Sequence, residues 1–228
     1  MKNNYTHVAI LIDRSGSMNS IKSDVIGGFN QLIEDQKNVP GDLTVTLVQF
    51  DENMGLQFET INDFSPLNEV KLLNESNYTP RGSTPLNDSL ARLINETGAR
   101  LAAKDESERP EKVLIVSITD GRENASKEHT KQSVKTLIEH QEKNYNWKFM
   151  YIGANQDSFA EGSSRGIGAS YNFAADSKGT KKMSKVFSAT LASYRSAGVS
   201  AKECDLSQVL AEEAKKADLE EAAEDSKK

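Results

Sequence analysis

The chain has 228 residues, enough to bury one sizeable core, and 27% charged against 36% hydrophobic residues fits a soluble globular protein. The net charge of −6 is uneven: residues 202–228 hold five Lys and nine Asp or Glu, a net of −4, leaving −2 for residues 1–201. A nearly neutral body without a basic stripe excludes nucleic acid as an expected partner, and no apolar run approaches the roughly 20 residues of a membrane span.

In chain order, Met1-Lys-Asn-Asn-Tyr-Thr6 precedes six mostly apolar residues, His7-Val-Ala-Ile-Leu-Ile12. That run is shorter than a signal-peptide core, so an unexported, cytoplasmic chain is expected. The lone Cys204 rules out an internal disulfide and fits a reducing compartment. Asn-x-Thr triplets at Asn77 and Asn95 are read as chance in an unexported chain.

Strands are predicted at Val8–Ile12, Leu43–Phe50, Leu56–Ile61, Val113–Thr119, Phe149–Gly153 and Ser170–Phe173, from short β-branched apolar runs. Between them, helical spacing joins Ile26, Phe29, Leu32 and Ile33, then Leu86, Leu90, Leu93, Ile94 and Leu101. Val134, Leu137 and Ile138 mark a further helix, and Met183, Val186, Phe187, Leu191 and Tyr194 a last core helix. Alternating strands and helices imply an α/β fold: a doubly wound, Rossmann-like open sheet, mostly parallel, with helices on both faces. The segments 43–50 and 56–61 are too close for a crossover helix, so one antiparallel edge strand is expected. The body is assigned to residues 1–198. Residues 199–228 form an acidic Ala/Glu/Lys-rich tail, a marginal helix or disordered, with Leu206, Val209, Leu210 and Ala214 as a thin apolar stripe.

Two predicted strands end in clusters of oxygen-bearing side chains. The first is followed by Asp13-Arg-Ser15-Gly-Ser17 and the fourth by Asp120-Gly121-Arg122; Arg81-Gly-Ser-Thr84-Pro85 lies on a loop between them. In an open doubly wound sheet, ligands gather at the carboxyl ends of the strands, where strand order reverses. Carboxylates and hydroxyls are hard ligands, suited to Mg²⁺ or Mn²⁺ rather than zinc. The plainer alternative makes Asp13 and Ser15 caps of the following helix and Asp120-Gly121 an ordinary turn.

On these three motifs and the strand–helix order, the chain from about Thr6 to Arg195 resembles a von Willebrand factor type A domain. The resemblance implies a six-stranded sheet and a metal-ion-dependent adhesion site (MIDAS) made by Asp13, Ser15, Ser17, Thr84 and Asp120, none of them substituted. It also implies a protein partner whose Asp or Glu completes the shell of a bound Mg²⁺ or Mn²⁺. Intracellular relatives act as adaptors for larger assemblies, including AAA+ ATPases, or lie in bacterial and phage contexts; that is analogy of family. Arg14, Arg81 and Arg122, one per loop, are expected to ring the crevice and favour an acidic epitope.

Enzyme readings find less support. Gly162-Ser-Ser-Arg-Gly166-Ile-Gly168 mimics a dehydrogenase loop and a hydrolase elbow at Ser164. No strand directly precedes it, and His7, His129 and His140 all come too early for a hydrolase triad. A short helix over Ser158–Arg165 is expected there instead, and the histidines are taken as surface or half-buried residues. An Mg²⁺-dependent hydrolase or phosphoryl-transfer enzyme and a metal-independent scaffold are the alternatives to a metal-dependent binding module.

Overall fold

The computed structural model describes residues 1–154, 157–198 and 202–225. One sheet contains β1 (Lys2–Asp13), β2 (Asp42–Glu52), β3 (Leu56–Pro66), β4 (Pro110–Thr119), β5 (Lys148–Ala154) and β6 (Ala169–Phe173). Strand order is β3-β2-β1-β4-β5-β6, with β3 antiparallel to β2 and the other pairings parallel. From β1 the chain winds outward to β2 and β3, then returns to lay β4 on the other side. The order therefore reverses between β1 and β4, whose ends stay in register at Ile12 and Ile118. This is the expected mostly parallel sheet with one antiparallel edge.

Each central strand is apolar on both faces because both faces are covered. Ile10, Ile12, Val45, Leu47, Leu114 and Val116 point to the side of α1 (Lys22–Gln36) and α5 (Ser177–Ser196). Ala9, Leu11, Val48, Phe50 and Ile115 face α2 (Leu86–Ala102) and α3 (Lys131–Tyr145). The helical spacings read from sequence supply the opposing surfaces: Phe29, Leu32 and Ile33 from α1, where Val25 is buried and the expected Ile26 only partly so, and Leu86, Leu90, Leu93 and Ile94 from α2. A short α4 (Ser158–Ser164) precedes β6; its C-cap residue, Arg165, is buried and donates to Asn87 Oδ1 at 2.8 Å and to Glu161.

His7 is fully buried, unlike the surface or half-buried position expected of it. Its ring stacks on Phe64 at 3.7 Å and its Nδ1 meets Thr44 Oγ1 at 2.9 Å. Burial lowers its pKa to about 3, so it stays neutral and belongs to the core.

The acidic tail runs as α6 (Leu206–Asp225), with Cys204, Leu206, Leu210 and Ala217 in the same buried cluster as α5 and β6 residues. It packs more closely than its sparse stripe suggests, because the acidic face opposes lysines of α5. Lys182 pairs with Asp218 at 2.5 Å and Glu221 at 2.7 Å, and Lys178 and Lys185 with Glu221 and Glu220. Exposed pairs of this kind contribute at most about 1 kcal/mol each, whereas a buried leucine contributes more. Leu210→Ala is therefore expected to lower unfolding stability by about 2–4 kcal/mol and Lys182→Met by under about 1 kcal/mol in urea denaturation. A neutral Leu210→Ala would mean that the tail does not dock.

Candidate metal centre

Asp13 is the last residue of β1 and is completely buried. Its Oδ1 accepts from the Ser15 amide at 2.6 Å, and its Oδ2 accepts from the Thr119 hydroxyl, at the end of β4, at 2.5 Å. Thr119 Oγ1 in turn accepts from the Gly121 amide at 3.0 Å. Tyr78 OH donates to the Asp13 carbonyl at 2.7 Å and locks the strand end from below. The Ser15 side chain makes no helix-capping bond; its Oγ lies 3.1 Å from Ser17 Oγ, and Ser17 donates to Asp120 Oδ1 at 2.6 Å. The capping alternative thus fails for Ser15, and the first and third loops meet side chain to side chain.

Thr84 enters from the second loop, which is tied to both others. Gly16 N donates to Gly82 O at 3.1 Å on one side. On the other, Thr84 and Asn124 exchange bonds: Thr84 N to Asn124 Oδ1 at 2.9 Å and Asn124 N to Thr84 O at 3.2 Å. Gly82 has φ +68°, and a Cβ there would sit 2.2 Å from Glu52 O, so only glycine fits.

Gly121 shows how closely the loops converge. A Cβ on it would lie 2.8 Å from Thr84 Oγ1, 3.5 Å from Asp13 Oδ2 and 3.7 Å from Ser15 Oγ. Three candidate ligands from two loops border one point beside the third loop, with Ser17 and Asp120 bonded at its rim. Among the described residues, no three His, Cys, Asp or Glu side chains gather as a metal cluster. The donor set here is two carboxylates and three hydroxyls, all oxygen, which fits a hard divalent cation.

The electrostatics agree with that chemistry. Burial pushes the Asp13 carboxyl up to about 6 and raises Asp120 as well. Among the described residues no Lys or Arg pairs with either carboxylate. A buried, uncompensated carboxylate is costly, and a cation at this point would relieve it.

Of the three arginines expected to ring the crevice, Arg14 takes no part. Arg14 is buried and directed away from the crevice, with Nε 2.7 Å from Asp51 Oδ2 and Nη1 2.5 Å from Glu59 Oε2. It is unavailable to a partner, because a charge behind the strand end must be paired where it is buried. Arg81, its side chain 45% exposed, shares the same buried Asp51 oxygen at 3.1 Å, and its amide donates to Arg14 O at 2.7 Å. Arg122 is exposed.

Several supporting residues escaped the sequence reading. Asp51 clamps the first loop to the second through its two arginines. Glu123 accepts from the Asn87 amide at 2.7 Å, and Asp88 accepts from the amides of Lys127, Glu128 and His129, fastening the third loop to the first turn of α2. Thr119 stood next to Asp120 in the Thr-Asp-Gly motif, the one local signal among them. Ser164 sits on α4 with its Oγ donating to Glu161 O, not on a strand-to-helix elbow.

An open, doubly wound α/β domain with an oxygen-rich crevice where its strand order reverses is the class these observations define. The von Willebrand factor type A domain model matches residues 7–187, and the chain belongs to that family. Among solved structures, it is similar to proximal thread matrix protein 1 from the mussel byssus, at 14% identity and a TM-score of 0.58, covering 81% of this chain and 47% of that one. A von Willebrand factor type A protein from Catenulispora acidiphila gives 14% identity and 0.53, covering 81% and 42%. Another structure of the mussel protein, with a zinc-occupied MIDAS motif, gives 13% and 0.51, covering 81% and 45%. The chain thus spans somewhat under half the length of these structures, and likeness at such identities is one of fold. No curated protein matches the chain.

The raised pKa of Asp13 makes a signed prediction for metal-free protein. A folded pKa of about 6 against an ordinary 3.8 means that the folded state holds the proton more tightly. The Asp13 contribution is therefore most favourable below about pH 4, is lost as pH rises through 6, and is constant above. In EDTA at neutral pH, Asp13→Asn should exceed wild type in stability by up to about 3 kcal/mol. The gap should open between about pH 4 and 6 in urea titrations; a constant gap would count against burial of a bare carboxylate.

Proposed function

We propose that this domain is a binding module rather than an enzyme. Asp13, Ser15, Ser17, Thr84 and Asp120 hold Mg²⁺ or Mn²⁺, an intact MIDAS, and an Asp or Glu of a protein partner completes the ion's shell. The observation that carries this reading is the convergence of Asp13, Ser15 and Thr84 oxygens beside Gly121, with no Lys or Arg among the described residues paired with the carboxylates. When bound, the ion supplies positive charge that three neutral hydroxyls leave only partly compensated, and that charge attracts an outside carboxylate. Gly121 leaves the space, Thr119 orients Asp13, and Asn124 and Asp51 keep the three loops in register.

Preference for a binding role is supported by what surrounds the ligands. Tyr78, Thr119, Asn124 and backbone amides bond to them, and none is a general base at neutral pH. The all-oxygen donor set favours Mg²⁺ or Mn²⁺ here, although the mussel protein's site holds zinc in one structure. The buried, unpaired Cys204 supports a reducing, cytoplasmic setting. No helix among the described residues is long and apolar enough to cross a membrane. An adaptor role toward a larger assembly, such as an AAA+ ATPase, is the finer reading that the family resemblance supports.

Calorimetric titration tests the metal. Wild type should take up Mg²⁺ or Mn²⁺ with one site per chain, and Asp120→Ala and Thr84→Ala should weaken or abolish uptake while remaining folded. Asp51→Asn, which touches no ligand directly, should weaken uptake by about tenfold or more through loss of loop register. Equal uptake by all four proteins would move the metal, or the function, off this crevice.

A further inference from the structure

The large apolar side chains exposed on the described surface are Met1, Met54, Leu72, Tyr145, Phe159 and Leu219. Met54 differs from the rest in where its backbone is fastened. It is the middle residue of the hairpin tip Asn53-Met54-Gly55 and is fully exposed. Two residues before it, Glu52 exchanges backbone bonds with Ser83, N to O at 3.0 Å and O to N at 3.1 Å. Ser83 is the immediate neighbour of the candidate ligand Thr84, and Gly82 packs under the same turn. Met54 is thus held as a fixed outer extension of the second ligand loop.

The residue is also an unusual one for its place. Met54 has φ +59°, in the left-handed region that side chains other than Asn, Asp and Gly avoid. A hairpin tip asks for Asn or Gly here. The tip instead carries a long, flexible apolar side chain in a strained backbone setting with nothing of its own chain to cover it. Beside the tip, Lys127 Nζ, its side chain 74% exposed, pairs with Glu52 Oε1 at 3.4 Å, and Arg81 pairs with Asp51.

We propose that Met54 is the apolar anchor of the partner interface, so that the partner presents a linear segment with an acidic residue and, beyond it, an apolar one. The inference rests on the metal-dependent binding reading above. The acid reaches the ligand crevice, drawn by the bound ion, and the apolar side chain packs on Met54. From Thr84, through the bonded Ser83–Glu52 pair to Met54, the span is on the order of 10 Å, which an extended segment covers in about three residues. The spacing of acid and apolar residue is therefore part of the recognition.

The test is selection of a phage-displayed library of random linear peptides on the full chain, in Mg²⁺ and in EDTA, with wild type and Met54→Asn. Asn suits the left-handed turn, so the variant should fold with equal or greater stability and take up Mg²⁺ unchanged. Wild type in Mg²⁺ should enrich peptides with Asp or Glu followed or preceded, about three residues away, by an apolar residue. Met54→Asn should keep the acid and lose the apolar preference, with affinity for a selected peptide about tenfold weaker by fluorescence anisotropy. Mg²⁺-dependent enrichment of acid alone, or an apolar preference unchanged by Met54→Asn, overturns the anchor and leaves the metal reading standing. No Mg²⁺-dependent acidic enrichment by either protein overturns the metal reading and the anchor with it.

Discussion

The burial of the Asp13 carboxylate where β1 and β4 part is the constraint on which the rest of this structure depends. An ionised group enclosed by protein needs donors, a counter-charge or a raised pKa. Asp13 has two donors, the Ser15 amide and the Thr119 hydroxyl, and a pKa raised to about 6 by burial. It has no counter-charge among the described residues. The donors come from the loop after β1 and from the last residue of β4, so satisfying this one carboxylate ties the ends of two strands together. Gly121 follows from the same geometry, since any side chain there would meet Thr84 Oγ1 and Asp13 Oδ2.

Charge distribution around the site explains why the deficit persists. Of the three arginines in the ligand loops, Arg14 and Arg81 pair with neither Asp13 nor Asp120. Both are drawn to Asp51 instead, a buried carboxylate on β2, with Glu59 as a further partner of Arg14. Ion pairing behind the strand ends fixes the loops relative to one another, while among the described residues no Lys or Arg pairs with the carboxylates facing the crevice. The loops are tied to one another by these bonds, and the carboxylates they present are left electrostatically incomplete. Incompleteness of this kind sacrifices stability in the metal-free protein, and such conflicts concentrate at functional sites.

Much of this was legible in the chain itself. The strands between Val8 and Phe173 were visible because fully covered parallel strands are apolar on both faces, and the helices because one stripe of each is buried. The oxygen clusters were visible because each closes an apolar run, and the doubly wound sheet sends such ends to one edge. What stayed hidden depends on side-chain direction. Nothing in Asp13-Arg14-Ser15 says that the arginine turns under the sheet, because its partner Asp51 lies on another strand. His7 read as ordinary because its stacking partner, Phe64, reaches it from the edge strand β3, far along the chain. The closeness of α6 was hidden because lysines of α5 and acids of the tail are unremarkable until folding opposes them.

The carboxyl end of α5 shows how the frame extends beyond the crevice. Lys112, buried on β4, donates to the carbonyls of Tyr194 at 2.9 Å, Arg195 at 3.3 Å and Ala197 at 2.8 Å, closing the carboxyl end of the helix. Arg195 donates to Gln36 O at 2.9 Å and Gly41 O at 2.9 Å, joining α5 to the end of α1 and the start of β2. Along its length α5 is covered by α6. A buried lysine on three carbonyls and a buried arginine on an adjoining turn are costly to free, since removal of either contact leaves a charge without partners. The last helix of the body is therefore fastened to the strand that carries Thr119 and to the helix that follows Asp13. Lys112 lies near the start of β4 and Gln36 ends α1, so these contacts anchor the edge of the sheet opposite the ligand loops and fix the frame on which those loops are mounted.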